Sequence, residues 1–455
     1  MTAEELLTDV ESSPTRTAAY NRDVDRQVIA RRASYGAHSP IVGERGEQTR
    51  EEIVQSALRA FATQGFHVTS VDDIATGADV SRATLYQYFE SKESLFVELI
   101  DEGGSALLGL LDRVAPFGAS EEGFANLSAW VTEWVEIFEG LSTVFIEWAK
   151  VNSPETALRE PLDTFTRRHT RRLARHLVAA GVCEERSVPC AVLLAAVLTR
   201  ANYVRDLYWP DQSWRPRFAT DLAKAFQRFL FPPQDGHQCF DDPASELTGE
   251  SVVAEHAPEF PEADDRLVGL RAQGRKTVRR LLDAAATVFA SSGYQAATVE
   301  QIASEAGVAR GTFYKYFTDK LDVLLALAEE ACHVHMTLHD LGDLTGRLAL
   351  VEWLERLLAF GRENTAVLRA WTERVPDNKE LYTLAEAIGM ASRRRFTRFV
   401  RQSVAPVGNI SGVMMLMAVI EYFPQMAYSA SVQLSPAAVR DATFAFVIDG
   451  ILGGI

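Results

Sequence analysis

One stretch of this chain is written twice. Residues 80–92 read VSRATLYQYFESK, and 228 positions further on residues 308–320 read VARGTFYKYFTDK. The register holds without a gap back to Ala57 and Ala285, through Phe61/Phe289, Gly65/Gly293, Val71/Val299 and Ile74/Ile302. A match of this length at fixed spacing means that one folding unit is used twice, so the fold must be a doubled one. Similarity continues at slightly altered spacing: Trp130 and Trp148 match Trp353 and Trp371, and Arg168, Arg172 and Arg175 match Arg394, Arg398 and Arg401. Such small shifts read as loop-length differences within a duplicated whole.

At 455 residues the chain exceeds one core. Its pattern divides into an arm (1–46), a first helical head (47–97), a first helical body (98–231), a linker (232–270), a second head (271–325) and a second body (326–455). The net charge of −16 opposes nucleic-acid binding as a sum, but phosphate contacts are local. Much of the excess sits in the linker, whose stretch 232–265 holds Asp235, Asp241, Asp242, Glu246, Glu250, Glu255, Glu259, Glu262, Asp264 and Asp265, five prolines and no Lys or Arg. Its composition is that of a solvated connector. Cys183, Cys190, Cys239 and Cys332 lack metal-ligand spacing and suit a reducing cytoplasm. The start of the chain lacks a signal-peptide pattern, and apolar runs such as 191–198 and 413–420 are too short to span a bilayer, so a cytoplasmic protein with no membrane contact is expected.

The heads are legible in detail. Residues 51–64 place Ile53, Ala57, Leu58 and Phe61 on one face of a helix, and Gly65 stops it. Ser70 with Asp73, and Thr298 with Gln301, are capping-box pairs that open a second, short helix ending near Ala78. After a tight turn a third helix begins near Ser81, which makes a helix-turn-helix. On that helix Arg82, Ala83, Tyr86 and Gln87 share one side, while Leu85 and Phe89 point toward Phe61, Val71 and Ile74. A cation, a methyl, a phenol and an amide on one outward face suit a DNA major groove rather than a core.

These residues resemble the DNA-binding domain of the TetR family of bacterial transcription regulators, whose signature runs close to A-G-V-S-x-G-T-x-Y-x-Y-F-x-x-K-x-x-L. The resemblance covers about fifty residues in each half. It implies an all-α fold of two tandem TetR-like units. Each unit would join a helix-turn-helix DNA-binding domain to a helical effector and dimerisation domain, and the two would form an intrachain pseudo-dimer. It implies that Arg82, Ala83 and Gln87, and Arg310, Gly311 and Lys315, face bases. Ser70, Tyr86, Tyr88 and Lys92, and Thr298, Tyr314, Tyr316 and Lys320, would hold the backbone, with Thr84 and Thr312 in the same DNA-binding set. Ser91 and Asp319 read as N-caps that would bring a helix N-terminus to the phosphate of each lysine. The turn glycine of the family stands at Gly307 but is Asp79 in the first copy, a residue that tolerates the left-handed conformation.

The two heads differ. Arg45, Arg50, Arg59, Arg82 and Lys92 are outnumbered by acids in the first, whereas Arg271, Arg275, Lys276, Arg279, Arg280, Arg310, Lys315 and Lys320 dominate the second. The second head is therefore expected to supply more phosphate neutralisation, Lys320 more than Lys92. Gln87 against Lys315 predicts an imperfect palindrome as the operator. Each half ends in two apolar helices, and a linker with a coil dimension of about 35 Å can join the halves into a single-chain pseudo-dimer. A further homodimer with four heads is the rival. Trp130, Trp134, Phe138, Phe145 and Trp148 in the first body, and Trp353, Phe360 and Trp371 in the second, are the candidate lining for pockets that would take a small-molecule effector, plain core being the alternative. The arginine clusters at 167–175 and 393–401 read as solvated faces. No P-loop, HExxH or G-x-S-x-G occurs, so an enzyme is not expected, nor a cofactor. Cys332, His333 and His335 are not read as a metal site, because alternate residues on a helix diverge; an exposed histidine pair is expected. The expected function is a ligand-responsive, sequence-specific repressor. The alternative is a helical ligand-sensing or interaction protein with one or both heads inactive.

Overall fold

The computed structural model describes residues 44–66, 68–145, 158–209, 214–232, 270–339, 347–373, 378–401, 407–429 and 431–453. The arm before residue 44, the linker from 233 to 269 and Trp148 lie outside them. Among the described residues every regular element is helical, as an all-α tandem chain requires. The first half runs α1 (Glu44–Gln64), α2 (Val71–Gly77), α3 (Arg82–Tyr88), α4 (Lys92–Arg113), α5 (Glu121–Gly140), α6 (Arg159–Ala179), α7 (Glu184–Tyr208) and α8 (Phe218–Leu230). The second runs α9 (Ala272–Ala296), α10 (Val299–Glu305), α11 (Arg310–Phe313), α12 (Lys320–His339), α13 (Arg347–Glu363), α14 (Thr365–Glu373) and α15 (Lys379–Arg401). It then continues with α16 (Asn409–Met417), a π-helical stretch Ala418–Tyr422, α17 (Phe423–Ala427), α18 (Pro436–Ala445) and a second π-helical stretch Phe446–Ile451.

The halves share one core. Apolar residues lie on every side of α7, as a helix in the middle of a bundle needs, and α7 packs on α16, the first π stretch, α17 and α18. Helix α8 packs on α16 and the second π stretch. Leu194, Val197, Phe226 and Phe229 from the first half belong to the same buried cluster as Met414, Met415, Phe423 and Phe446 from the second. The Phe446 ring lies 5.8 Å from that of Phe226 and 5.5 Å from that of Phe229. Gly450 lets this seam close, because a Cβ there would stand 2.9 Å from the carbonyl oxygen of Ala225. The expectation that no apolar stretch reaches bilayer length needs correction. Glu184–Arg205 and Asn409–Ala427 are long and apolar enough, and most of each is buried in this bundle. Their apolar character is that of the two central helices of a shared core.

Polar groups fix the register of the seam. Arg200 on α7 pairs with Glu421 on the first π stretch at 3.4 Å, both largely buried. Burial pushes the Glu421 carboxyl up, and the Arg200 charge and hydrogen bond oppose it. Asp221 on α8 is buried and accepts a 2.7 Å hydrogen bond from the Ser411 hydroxyl on α16. Arg393 donates to the Tyr208 carbonyl at 2.8 Å and lies 5.5 Å from the Trp209 ring centre. Arg393 therefore belongs to the interface, and Arg395 is buried, so the arginine-rich stretch of α15 is not the solvated face expected for it. Likewise His335 is buried with its ring 4.9 Å from that of Phe360, and only His333 of the expected exposed pair faces outward.

Removing one partner of a buried ion pair strands the other. Arg200→Met is expected to cost about 3–5 kcal/mol in urea unfolding, and the double change Arg200→Met with Glu421→Leu to recover most of it. Equal losses for the single and double variants would contradict this account of the seam.

Candidate nucleic-acid interface

Each head is assembled by short-range chemistry. Helix α1 ends at Gly65 with φ 82°, and the matching break within α9 is Gly293 with φ 77°. The Ser70 hydroxyl accepts from the Asp73 amide at 3.1 Å, and the Asp73 carboxylate accepts from the Ser70 amide at 2.8 Å. Thr298 and Gln301 repeat the exchange at 3.2 and 2.8 Å. The hydrogen bonds from Ser70 hold the Asp73 carboxyl below its ordinary range. Beyond the second helix the chain reverses through a left-handed residue, Asp79 at φ 53° in one head and Gly307 at φ 61° in the other. The same backbone bond closes both turns: Val80 N–H to Ala75 C=O at 3.0 Å and Val308 N–H to Ala303 C=O at 2.9 Å. Asp79 thus adopts the glycine conformation, as anticipated, at a conformational cost that Gly307 does not carry.

The mixed face lies on α3 in the first head, and on α11 with the turn that follows it in the second. Arg82, Ala83, Tyr86 and Gln87 are exposed, with Leu85 and Phe89 buried beneath them. Arg310, Gly311, Tyr314 and Lys315 are exposed above buried Phe313 and Phe317. Tyr86 and Tyr314 are 43% and 48% exposed, far more than a phenol requires for packing. Tyr88, Tyr316, Thr84 and Thr312 are half-buried, and the Thr84 and Ser81 hydroxyls lie 2.8 Å apart at the helix start. Ser70 and Thr298 are exposed at the N-termini of α2 and α10. A Cβ added to Gly311 would meet nothing within 4 Å, so this position leaves room for a close neighbour outside the protein.

Both arginines are aimed in the same way, by acids that the motif alone does not flag. Arg82 pairs with Asp72 at 3.1 Å and lies 5.5 Å from the Tyr86 ring centre. Arg310 pairs with Glu300 at 2.8 Å and lies 5.6 Å from that of Tyr314. Hydrogen bonding to the phenol, then the acid, raises both guanidinium pKa values further. The signal was present as an acid ten positions before each arginine. Its meaning depends on how α2 and α3, or α10 and α11, cross.

Lys92 and Lys320 have another task than the phosphate contact expected of them. The Lys92 ammonium donates to the carbonyls of Phe66 and Thr69, each at 2.8 Å, and sits 4.7 Å from the Phe66 ring centre. Lys320 donates to Tyr294, Gln295 and Ala297 at 2.9–3.0 Å, which uses its three donors, and sits 4.6 Å from the Tyr294 ring centre. Desolvation lowers both pKa values. These lysines tie the start of α4 and of α12 to the loop before the helix-turn-helix. Other cations of the second head are engaged too. Arg279 pairs with Asp283 and Glu330, each at 2.8 Å, and Arg280 donates to the turn carbonyls of Ala306 and Gly307. Exposed Lys315, with Arg271, Arg275 and Lys276 at the start of α9, carries what remains of the basic excess.

The aromatic residues expected to line pockets are mostly core. Trp130, Phe138, Trp353 and Phe360 are buried, and Trp371 packs partly buried against the core of the second head. Stacking accounts for the first cluster: Trp134 on Phe138 at 5.7 Å and Phe138 on Phe145 at 5.2 Å between ring centres. Of the seven that are described, only Trp134 and Phe145 border a sizeable cavity. Rings at helical spacing satisfy each other first, and only the edge of the stack reaches an opening.

Comparison with known proteins agrees with the doubled architecture. The family of bacterial regulatory proteins, tetR family, matches twice, at residues 53–99 and 281–327. The HTH-type transcriptional regulator TtgW of Pseudomonas putida is 44% identical over 62 residues, 14% of this chain and 46% of that protein. The fatty acid metabolism regulator protein of Bacillus subtilis is 45% identical over 58 residues, 13% of this chain and 30% of its own. A probable acrEF/envCD operon repressor of Escherichia coli is 40% identical over 52 residues, 11% of this chain and 24% of its own. The chain spans less than half the length of these relatives.

Two substitutions separate the roles assigned here. Asp79→Gly is expected to stabilise the chain by about 1 kcal/mol in thermal unfolding, by relieving the left-handed residue. Lys320→Met is expected to destabilise the second head by roughly 2–3 kcal/mol, since it strands three carbonyls that a charged donor serves. An Lys320→Met chain of unchanged stability would return that lysine to the DNA.

Proposed function

We propose that this tandem tetR-family chain is a sequence-specific DNA-binding transcriptional regulator, a repressor in which one polypeptide supplies both heads of a dimer. The observation that carries the reading is the repeated outward face: an arginine aimed by an acid and a tyrosine, a small residue, and a polar side chain one turn on, held over a buried Leu85 or Phe313. Arg82, Ala83 and Gln87 read bases in the first half-site; Arg310, Gly311 and Lys315 read them in the second. Tyr86, Tyr88, Tyr314 and Tyr316, with the capped N-termini at Ser70 and Thr298, hold the backbone on either side. The shared bundle supports the pseudo-dimer, because one buried core takes residues from both halves.

A homodimer reads both half-sites alike, whereas this chain carries Gln87 in one head and Lys315 in the other. Gln favours adenine and Lys the acceptor edge of guanine, each by roughly 1–3 kcal/mol. Selection from randomised duplex DNA is expected to return two half-sites that differ beneath these residues; a perfect palindrome would count against the assignment. Lys315→Ala is expected to leave folding intact while lowering the slope of log affinity against log salt by about one. An unchanged slope and unchanged selection together would remove Lys315 from the interface.

A further inference from the structure

We infer that Asp72 and Glu300 set the sequence discrimination of the two heads, as positioning residues that hold Arg82 and Arg310 for a base edge and withhold them from phosphate. The inference rests on the DNA-binding reading and adds to it two acids on a surface where acids weaken attraction to a polyanion.

The arrangement is built twice with different parts. In the first head Nη1 of Arg82 donates to Asp72 at 3.1 Å, and Nη2 donates to the Tyr86 hydroxyl at 3.3 Å. In the second, Nη1 of Arg310 pairs with Glu300 at 2.8 Å, and Nη2 donates to the Tyr314 hydroxyl at 3.4 Å. Glu300 is one methylene longer than Asp72, yet each guanidinium ends at the same distance from its tyrosine ring centre, 5.5 and 5.6 Å. The neighbouring Asp73 and Gln301 serve the caps with Ser70 and Thr298, so the start of α2 or α10 does not require an acid at 72 or 300. Stability does not account for the pairs either. All four side chains are 55–63% exposed, and an ion pair so open to water adds little to folding.

What the pairs do is restrict. The tethers engage Nη1 and Nη2, each of which carries a second hydrogen. Those second hydrogens suffice in number for the two acceptors, O6 and N7, of a guanine edge. An arginine fixed in advance loses less freedom when it meets that edge. Reaching a phosphate instead means leaving the acid, and the carboxylate then stands unpaired beside a polyanion. The acid therefore costs more affinity at a wrong site than at the right one, and a repulsion placed in this way becomes specificity.

The test uses the full chain, a duplex that the protein selects from a randomised pool, and a random duplex of the same length, with binding followed by fluorescence anisotropy across a salt series. Glu300→Gln keeps the size of the side chain and an oxygen acceptor but removes the charge. It is expected to bind the random duplex more tightly, with a slope of log affinity against log salt steeper by about one. The ratio of selected to random affinity is expected to fall roughly tenfold. Base preference flattens beneath Arg310 and stays unchanged beneath Arg82, and Asp72→Asn gives the mirror result. Glu300→Asp keeps the ratio, because Asp72 performs this task in the other head. With Arg310→Ala already in place, adding Glu300→Gln leaves the ratio where it was. The melting temperature of each acid variant stays that of the parent chain. A ratio that Glu300→Gln leaves unchanged or raises would overturn the inference, as would an equal loss in Glu300→Asp. The same fall without Arg310 would make Glu300 a reader in its own right, and a drop in melting temperature would make the pair structural; either result also overturns it. A parent chain that binds no duplex defeats the regulator and this inference with it. A parent chain that discriminates, beside a Glu300→Gln chain that discriminates equally, defeats the inference alone.

Discussion

The structure depends on the burial of one apolar surface by another in the same polypeptide. Each half ends in helices too apolar to face water: α7 and α8 are covered on one side by α6 and α5 of their own half, and on the other by α16, α17, α18 and the π stretches joined to them. In a two-chain assembly that cover arrives by association. Here a covalent connection raises the local concentration of the partner surface, so the pairing does not depend on protein concentration. The polar contacts across the seam are not mirrored: Arg200 meets Glu421, and Asp221 meets Ser411. An interface relieved of self-complementarity can use such unequal pairs, since neither half must fit a copy of itself.

The same freedom extends to the heads. They solve one backbone problem with different side chains. The turn is Asp79 in one and Gly307 in the other, and the turn carbonyls are held by Arg280 only in the second, where the first has Arg59 reaching Gly77 at 3.4 Å. What stays constant is the geometry that aims Arg82 and Arg310. What varies is the exposed residue one turn on, Gln87 or Lys315, on which the proposed difference in base preference rests.

The helix-turn-helix was legible because its determinants are local. Caps, a left-handed turn and a buried Leu85 or Phe313 are all decided within a few residues, and the structure places each as expected. The internal task of the lysines was not legible for the opposite reason: Lys320 is tied to carbonyls 23–26 positions earlier, which no spacing rule brings to mind. The aromatic pattern was ambiguous in kind, since rings three or four apart suit a core as well as a pocket wall, and most of them are core. Two apolar helices at each C-terminus announced a bundle, but the Asp221–Ser411 bond joins residues 190 apart and belongs to the folded seam alone. The cavity beside Trp134 and Phe145 was out of reach of a reading made half by half, because residues of both halves line it.

The central claim is that one chain forms the whole two-headed reader. Native mass measurement of the complex with a duplex chosen by the protein itself tests it most directly. One 50.4 kDa chain per duplex, with both half-sites protected from cleavage, is the predicted result. Two chains per duplex, each protecting one half-site, would contradict it.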